Sequence, residues 1–313
     1  MSRILQYLEK KYPGNSERAI FRAELMRLCQ EFIESGYADG KFEHELTSGH
    51  TSKFWSSLSE ALIFEQLKGK NFLSRRNIGI GPDFLIECNG RKLWIEIICP
   101  THSGIPDDWL EIQLNKASSA PHTEILLRWT SAYKEKVEKL LGNPSGKPMG
   151  YLANGIVSEQ DLYVIAINGC QLRHGPFSAL HGMSQLPYAA EAVFPIGPYQ
   201  VQLDKATMNI VGQGYQERRN IPKPNGKAVS AEAFLDPTHK MISALWAVDF
   251  DGCRILGNHQ PSAIIHNPCA QNPLPYGFLH QTKNFTRSPH AKNFIHFAVS
   301  EPIRNGLLVG RSG

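Results

Sequence analysis

This sequence is notable first for what it lacks. No run approaches the roughly 18 consecutive apolar residues that a membrane span requires, so no membrane partner is expected. The opening residues, Met-Ser-Arg-Ile-Leu-Gln-Tyr-Leu-Glu-Lys-Lys, have neither the apolar stretch nor the small-residue cleavage site of a signal peptide. The expectation is a cytoplasmic protein, or one exported by a route that leaves no N-terminal mark. The six cysteines are scattered and none has Cys-x-x-Cys spacing, which argues against a structural zinc site. They read as reduced, small core hydrophobes. His44 with His50 and His290 with His296 are six apart, a spacing that suits no common helical or zinc-finger pattern. Gly79-Ile80-Gly81 is followed by no helix start and is not a phosphate loop. Internal repeats and low-complexity tracts are also missing. The net charge of +4 permits a nucleic-acid partner without arguing for one.

What remains is a globular composition, 42% hydrophobic and 20% charged over 313 residues, enough for one large domain or two modest ones. Residues 1–53 read as an N-terminal helical segment. Asn15-Ser16 caps a helix through Phe21, Leu25, Leu28 and Phe32 that ends near Gly36, and 37–53 read as loop. A second helix covers 54–68, ending at Gly69. A strand runs from the low seventies to Ile78, and strands at 83–88 and 91–98 follow. Leu126, Trp129, Tyr133, Val137 and Leu140 form one apolar stripe and predict a helix from Glu124 to Leu141. Asp161–Asn168 reads as a buried strand. Residues 171–313 are a strand- and loop-rich extension, either separate or part of the same domain, with strands near 199–203, 209–214, 244–249 and 263–266.

The most informative segment is 81–98. Asn89-Gly90 between two apolar-rich runs is a strong signal for a two-residue hairpin turn, which fixes register. Cys88 then faces Arg91, Glu87 faces Lys92, and Asp83 faces Glu96, with opposed side chains on one face and Cβ atoms roughly 5 Å apart. Two carboxylates side by side destabilise a sheet unless something bridges them. A divalent cation is the simplest bridge, because Mg²⁺ binds through one or two carboxylates and leaves positions for phosphate oxygens. The plain alternative is a turn aspartate and a solvated edge glutamate, but Glu96 sits within Leu-Trp-Ile-Glu-Ile-Ile.

The order helix, strand, strand-turn-strand, helix, strand over residues 54–168 outlines an α/β sandwich. With Pro82-Asp83 opening one strand and Glu96 on the next, it resembles the PD-(D/E)xK, or restriction endonuclease-like, nuclease superfamily. Over a longer span the chain looks like an uncharacterised bacterial branch with this core. The matching features are Leu93–Glu96, Leu127–Ala132, Tyr163–Gly169, and His266-Asn267-Pro268 followed by Asn272–Pro275. The resemblance implies an αβββαβ core with a mixed central sheet at 54–170. It implies a catalytic set of Asp83, Glu96, an acid from the preceding helix, which offers Glu60 and Glu65 and where the position of Glu60 matches, and a lysine. It further implies Mg²⁺ or Mn²⁺ held by Asp83, Glu96 and Glu60, a DNA partner, and endonuclease activity. Homodimerisation is common in that superfamily, although no dimerisation helix is visible.

One departure matters. The lysine slot two residues after the acid holds Ile98. A lysine must arrive from elsewhere, or the site is a silent module that binds nucleic acid or protein. Lys92 shares the Glu96 face but lies roughly 13 Å along the strand, and reads as an ion pair with Glu87. On the 124–141 helix, Lys136 lies about 60° from the centre of the apolar stripe and is best placed to snorkel toward the sheet, while Lys134 and Lys139 lie further round. Arg128 is a candidate phosphate contact. Arg75, Arg76 and Lys116 are candidate backbone contacts.

Overall fold

The computed structural model describes residues 2–14, 16–73, 80–111, 115, 119–143, 148–175, 178–279, 282–287 and 297–300. Four helices open the chain: α1 (Arg3–Lys11), α2 (Ser16–Glu34), α3 (Phe42–Leu46) and α4 (Thr51–Leu67). The hairpin strands are β1 (Phe84–Cys88) and β2 (Arg91–Ile98). Next come the single-turn α5 (Asp107–Leu110), the long α6 (His122–Leu141) and β3 (Leu162–Asn168). Beyond β3 lie α7 (Tyr188–Val193), β4 (Ile196–Leu203), β5 (Ile210–Glu217), β6 (Asn220–Pro222) and β7 (Ala228–Ser230). The described chain closes with β8 (Ala244–Val248), α8 (Gly252–Ile255), β9 (Ser262–His266), β10 (Lys283–Arg287) and β11 (Phe297–Ser300). No described helix is long and apolar enough to cross a membrane.

A mixed sheet of order β1-β2-β3-β8-β9-β10-β11 forms the centre. β1 runs antiparallel to β2, whereas β2, β3 and β8 are mutually parallel. β9 is antiparallel to β8, β10 parallel to β9, and β11 antiparallel to β10. Strand alternation sends successive side chains to opposite faces, and both faces are covered. Leu93, Ile95, Ile97, Val164, Ala166 and Trp246 pack against α1, α2 and α4. Trp94, Tyr163, Ile165, Ile167 and Leu245 pack against α6 and α7. This is an α/β fold in three layers, with the apolar stripe of α6 turned to the second face.

Several expectations are revised. Residues 37–53 contain α3, whose Phe42 and Leu46 are buried; five residues are too few to show a helical period. Of the early strand, Phe72 makes an antiparallel bridge to Ile86, and 74–79 lie outside the described residues. The cysteines are free and four are buried, but Cys253 and Cys269 are exposed. Residues 171–313 extend the sheet that β1–β3 begin, through β8 to β11.

Candidate active site

The turn sets the site. Asn89 and Gly90 have φ of 54° and 76°, the two positive values a type I′ turn demands. The register runs Phe84 to Ile95, Glu87 to Lys92 and Cys88 to Arg91. One step beyond β1, that register sets Asp83 opposite Glu96. Asp83 Oδ2 accepts a hydrogen bond from the Ile97 amide at 2.6 Å, which ties the start of β1 to the middle of β2. Glu96 projects toward the α6 face with 1% of its surface exposed.

Two lysines of α6 meet it there. Lys136 Nζ lies 2.7 Å from Glu96 Oε1, and Lys139 Nζ lies 2.9 Å from the same oxygen. The Lys136 side chain is 7% exposed and that of Lys139 45%. Glu96 Oε2 is buried and accepts no hydrogen bond among the described residues. The Tyr151 and Tyr163 phenols stand in the same field: burial first, then the Glu96 charge, holds both above the ordinary tyrosine range. Burial alone would lower the Lys139 pKa, but Glu96 outweighs it and the net shift is upward.

On the other side of Asp83 a small cavity of about 90 Å³ is lined by Phe32, Tyr37, Asp39, Glu60, Gly81, Asp83 and Phe84. Three carboxyl groups face it. Burial, then the Asp83 and Asp39 charges, push the Glu60 carboxyl well above the usual range. Burial and the Glu96 charge raise Asp83 to about 6, against the opposing pull of Lys136 and the Ile97 amide. The cluster therefore holds more negative charge than its lysines neutralise. Among the described residues no three His, Cys, Asp or Glu side chains close into a metal-binding group. The donors around the cavity are carboxylate oxygens, with no Cys or His among the lining residues, the set that hard cations take rather than a structural zinc. It suits Mg²⁺, which takes one or two carboxylates and keeps several waters. The unpartnered Glu96 Oε2 and the carboxylate-lined cavity fit such an ion.

The remaining candidates distribute as follows. Glu60 lies with Asp83 at the cavity, while Glu65 faces Lys68 and Arg27 on the N-terminal helices. Arg128 is held at Thr101: its Nε donates to the Thr101 carbonyl at 2.8 Å and one terminal nitrogen lies 3.3 Å from Thr101 Oγ1. Ile98 packs into the apolar core beside α6. The Glu87–Lys92 ion pair does not form; Glu87 Oε2 instead accepts from the Asn71 side-chain Nδ2 at 2.5 Å. Arg75, Arg76 and Lys116 lie outside the described residues. Three groups at the site were not anticipated: Lys139, Tyr151 and Asp39. The signal for Lys139 was present, since residues three apart on a helix are surface neighbours and Lys139 follows Lys136 by three. Asp39 and Tyr151 come from irregular segments and leave no periodic trace.

No protein family, no curated protein and no solved structure matches this chain.

Proposed function

We propose that this protein is a metal-dependent phosphodiesterase acting on nucleic acid, with DNA as the substrate class, through an endonuclease core of the restriction endonuclease-like type spanning residues 54–170. The observation that carries the reading is the meeting of Asp83, Glu96 and Lys136: opposed carboxylates on one hairpin, with the amine 2.7 Å from Glu96. The element order α4, the 71–73 bridge, β1, β2, α6, β3 is the order that core requires, and β3 runs parallel to β2. Lys136 supplies the cation that Ile98 does not, from the neighbouring helix.

In this reading Asp83, Glu96 and Glu60 hold one or two Mg²⁺ or Mn²⁺ ions. The metal would polarise a phosphoryl oxygen and lower the pKa of a bound water. Asp83 is held by the Ile97 amide, which fixes the orientation of its carboxyl group. Lys136 and Lys139 orient Glu96 and place positive charge beside developing phosphoryl charge. Lys139 is the more exposed of the two and the one that reaches solvent.

A second reading has its own observation. Glu96 Oε1 is already shared by two ammonium groups, which suits a catalytically silent module that binds nucleic acid or a protein partner. Calorimetric titration of Mg²⁺ and Mn²⁺ separates the two, with and without a DNA duplex. Wild-type binding that disappears in Asp83→Asn, together with duplex cleavage by the wild type alone, supports the enzyme. Wild-type protein that neither binds metal nor cleaves DNA leaves the silent module. Sedimentation of the same preparation tests the homodimer that the resemblance implies.

A further inference from the structure

A second pocket lies away from the carboxylates. It opens between α6, α7, β7 and the two short turns that follow β7, and its volume is about 580 Å³. That is within the range of small-molecule sites, and tenfold-smaller crevices are not. Val137 and Leu141 of α6, Val229 of β7 and Leu235 form apolar walls. At one end Tyr133 Oη and His239 Nδ1 are 2.7 Å apart, with the two rings stacked. Burial lowers the His239 pKa and raises that of Tyr133. Both are therefore uncharged at neutral pH and add nothing to the pocket's charge.

The charge comes from the rim, where Glu138, Glu232 and Asp236 face one lysine, Lys134. Lys134 lies 3.7 Å from Glu138, and Arg219 lies 3.8 Å from Glu232. Asp236 accepts the Thr238 amide at 2.9 Å and has no cationic partner among the described residues. An apolar interior under a rim with surplus negative charge favours one class of occupant. We propose that this pocket binds an organic cation: an amine carried on an aromatic or aliphatic body. The body fills the walls between α6 and β7, and the ammonium group meets Asp236 and Glu138 at the mouth. A carboxylate of the same shape would meet the same acids and be repelled.

The test is isothermal titration of the full chain with three probes of similar size: 2-phenylethylamine, 3-phenylpropanoate and 2-phenylethanol. Saturable binding of the amine is expected, about two- to fivefold tighter than the alcohol, as expected for an ion pair at a solvent-facing mouth, and tighter still than the carboxylate. Val229→Trp, at a half-buried position on the two-stranded β6–β7 ribbon, fills the pocket and should abolish binding while leaving the circular dichroism and melting temperature of the wild type. The double variant Glu138→Gln, Asp236→Asn keeps the pocket open and should erase the preference for the amine. The inference is overturned by any of four results. These are no saturable amine binding, anion or alcohol binding as tight as the amine, undiminished binding to folded Val229→Trp, or a preference that survives neutralisation of the rim. A Val229→Trp protein that fails to fold leaves the decision to the double variant.

Discussion

At the scale of single residues, Asp83 is the group whose titration matters most. Its carboxyl lies at about 6 in the folded protein, against about 3.9 in an unfolded chain. A carboxyl raised on folding holds its proton more tightly in the native state. Its stabilising contribution is therefore full below the unfolded value and is lost as pH rises through about 6. The Glu60 carboxyl, also raised, acts in the same direction. In metal-free buffer, Asp83→Asn should leave stability nearly unchanged near pH 4 and raise it by on the order of 2–3 kcal/mol at pH 7. Urea unfolding of both proteins at the two pH values checks this; a difference that does not change with pH would contradict it. The two lysines part in a similar way. Lys136 is buried against a buried glutamate, and removing one partner of such a pair costs about 3–5 kcal/mol, softened here by Lys139. Lys136→Met should therefore destabilise by roughly 2–3 kcal/mol. Lys139 is 45% exposed, so Lys139→Ala should cost less than about 1 kcal/mol while weakening any DNA cleavage. Equal losses of stability in the two variants would refute this division.

At the scale of elements, the hairpin and α6 make the site, and both were legible before the fold was known. Asn89-Gly90 fixed a register that the strand pairing reproduces, because a two-residue turn leaves no freedom to slip. The five stripe residues of α6 are all buried, because a 20-residue amphipathic helix declares its period many times over. Angle around that helix singles out Lys136 and not Lys139. Angle alone ignores the reach of a four-carbon stem, which lets an exposed position fold back over its neighbour. Asp39 was hidden for another reason: it lies in a connection that the sequence shows only as polar, and its closeness to Glu60 is purely tertiary. Because the turn controls the register, it also controls the site. Gly90 has φ of 76°, where a side chain with a branched Cβ is strained by about 1–2 kcal/mol. Gly90→Val should lower stability by that amount and, under the proposed metal-dependent function, weaken metal affinity along with it, since Asp83 and Glu96 stay opposed only while the turn holds. Unfolding curves paired with Mn²⁺ titration would show both effects, and lowered stability with unaltered affinity would uncouple the turn from the site.

At the scale of the whole molecule, the question is whether residues 54–170 can stand alone. From the sequence, the 54–170 boundary followed the resemblance, and residues 171–313 read as an extension of undecided status. The structure ties the two together at β3. Each residue of β3 is buried, and its far edge is covered by β8, whose own five residues are all buried. The seam is hydrogen-bonded beyond the ladder. Ser243 Oγ accepts the Tyr163 amide at 3.0 Å, the Ser243 amide donates to the Tyr163 carbonyl at 2.8 Å, and the Gly169 amide donates to the Val248 carbonyl at 2.8 Å. The buried Asn168 side chain donates to Ser59 Oγ at 2.8 Å and to the Phe250 carbonyl at 2.9 Å, so α4, β3 and the segment after β8 share one amide. Cutting the chain at 170 would expose a parallel strand on its open edge and leave Val164, Ile165 and Ile167 without their β8 neighbours. Parallel strands with a bare apolar edge pair with other chains rather than with water. A fragment of residues 54–170 should therefore aggregate or show only a partly ordered amide spectrum, and a fragment of residues 1–279, which keeps β8 and β9, should retain cooperative unfolding. A monomeric 54–170 fragment with a dispersed, native-like spectrum would establish the core as a domain in its own right and reduce the rest of the sheet to an accessory.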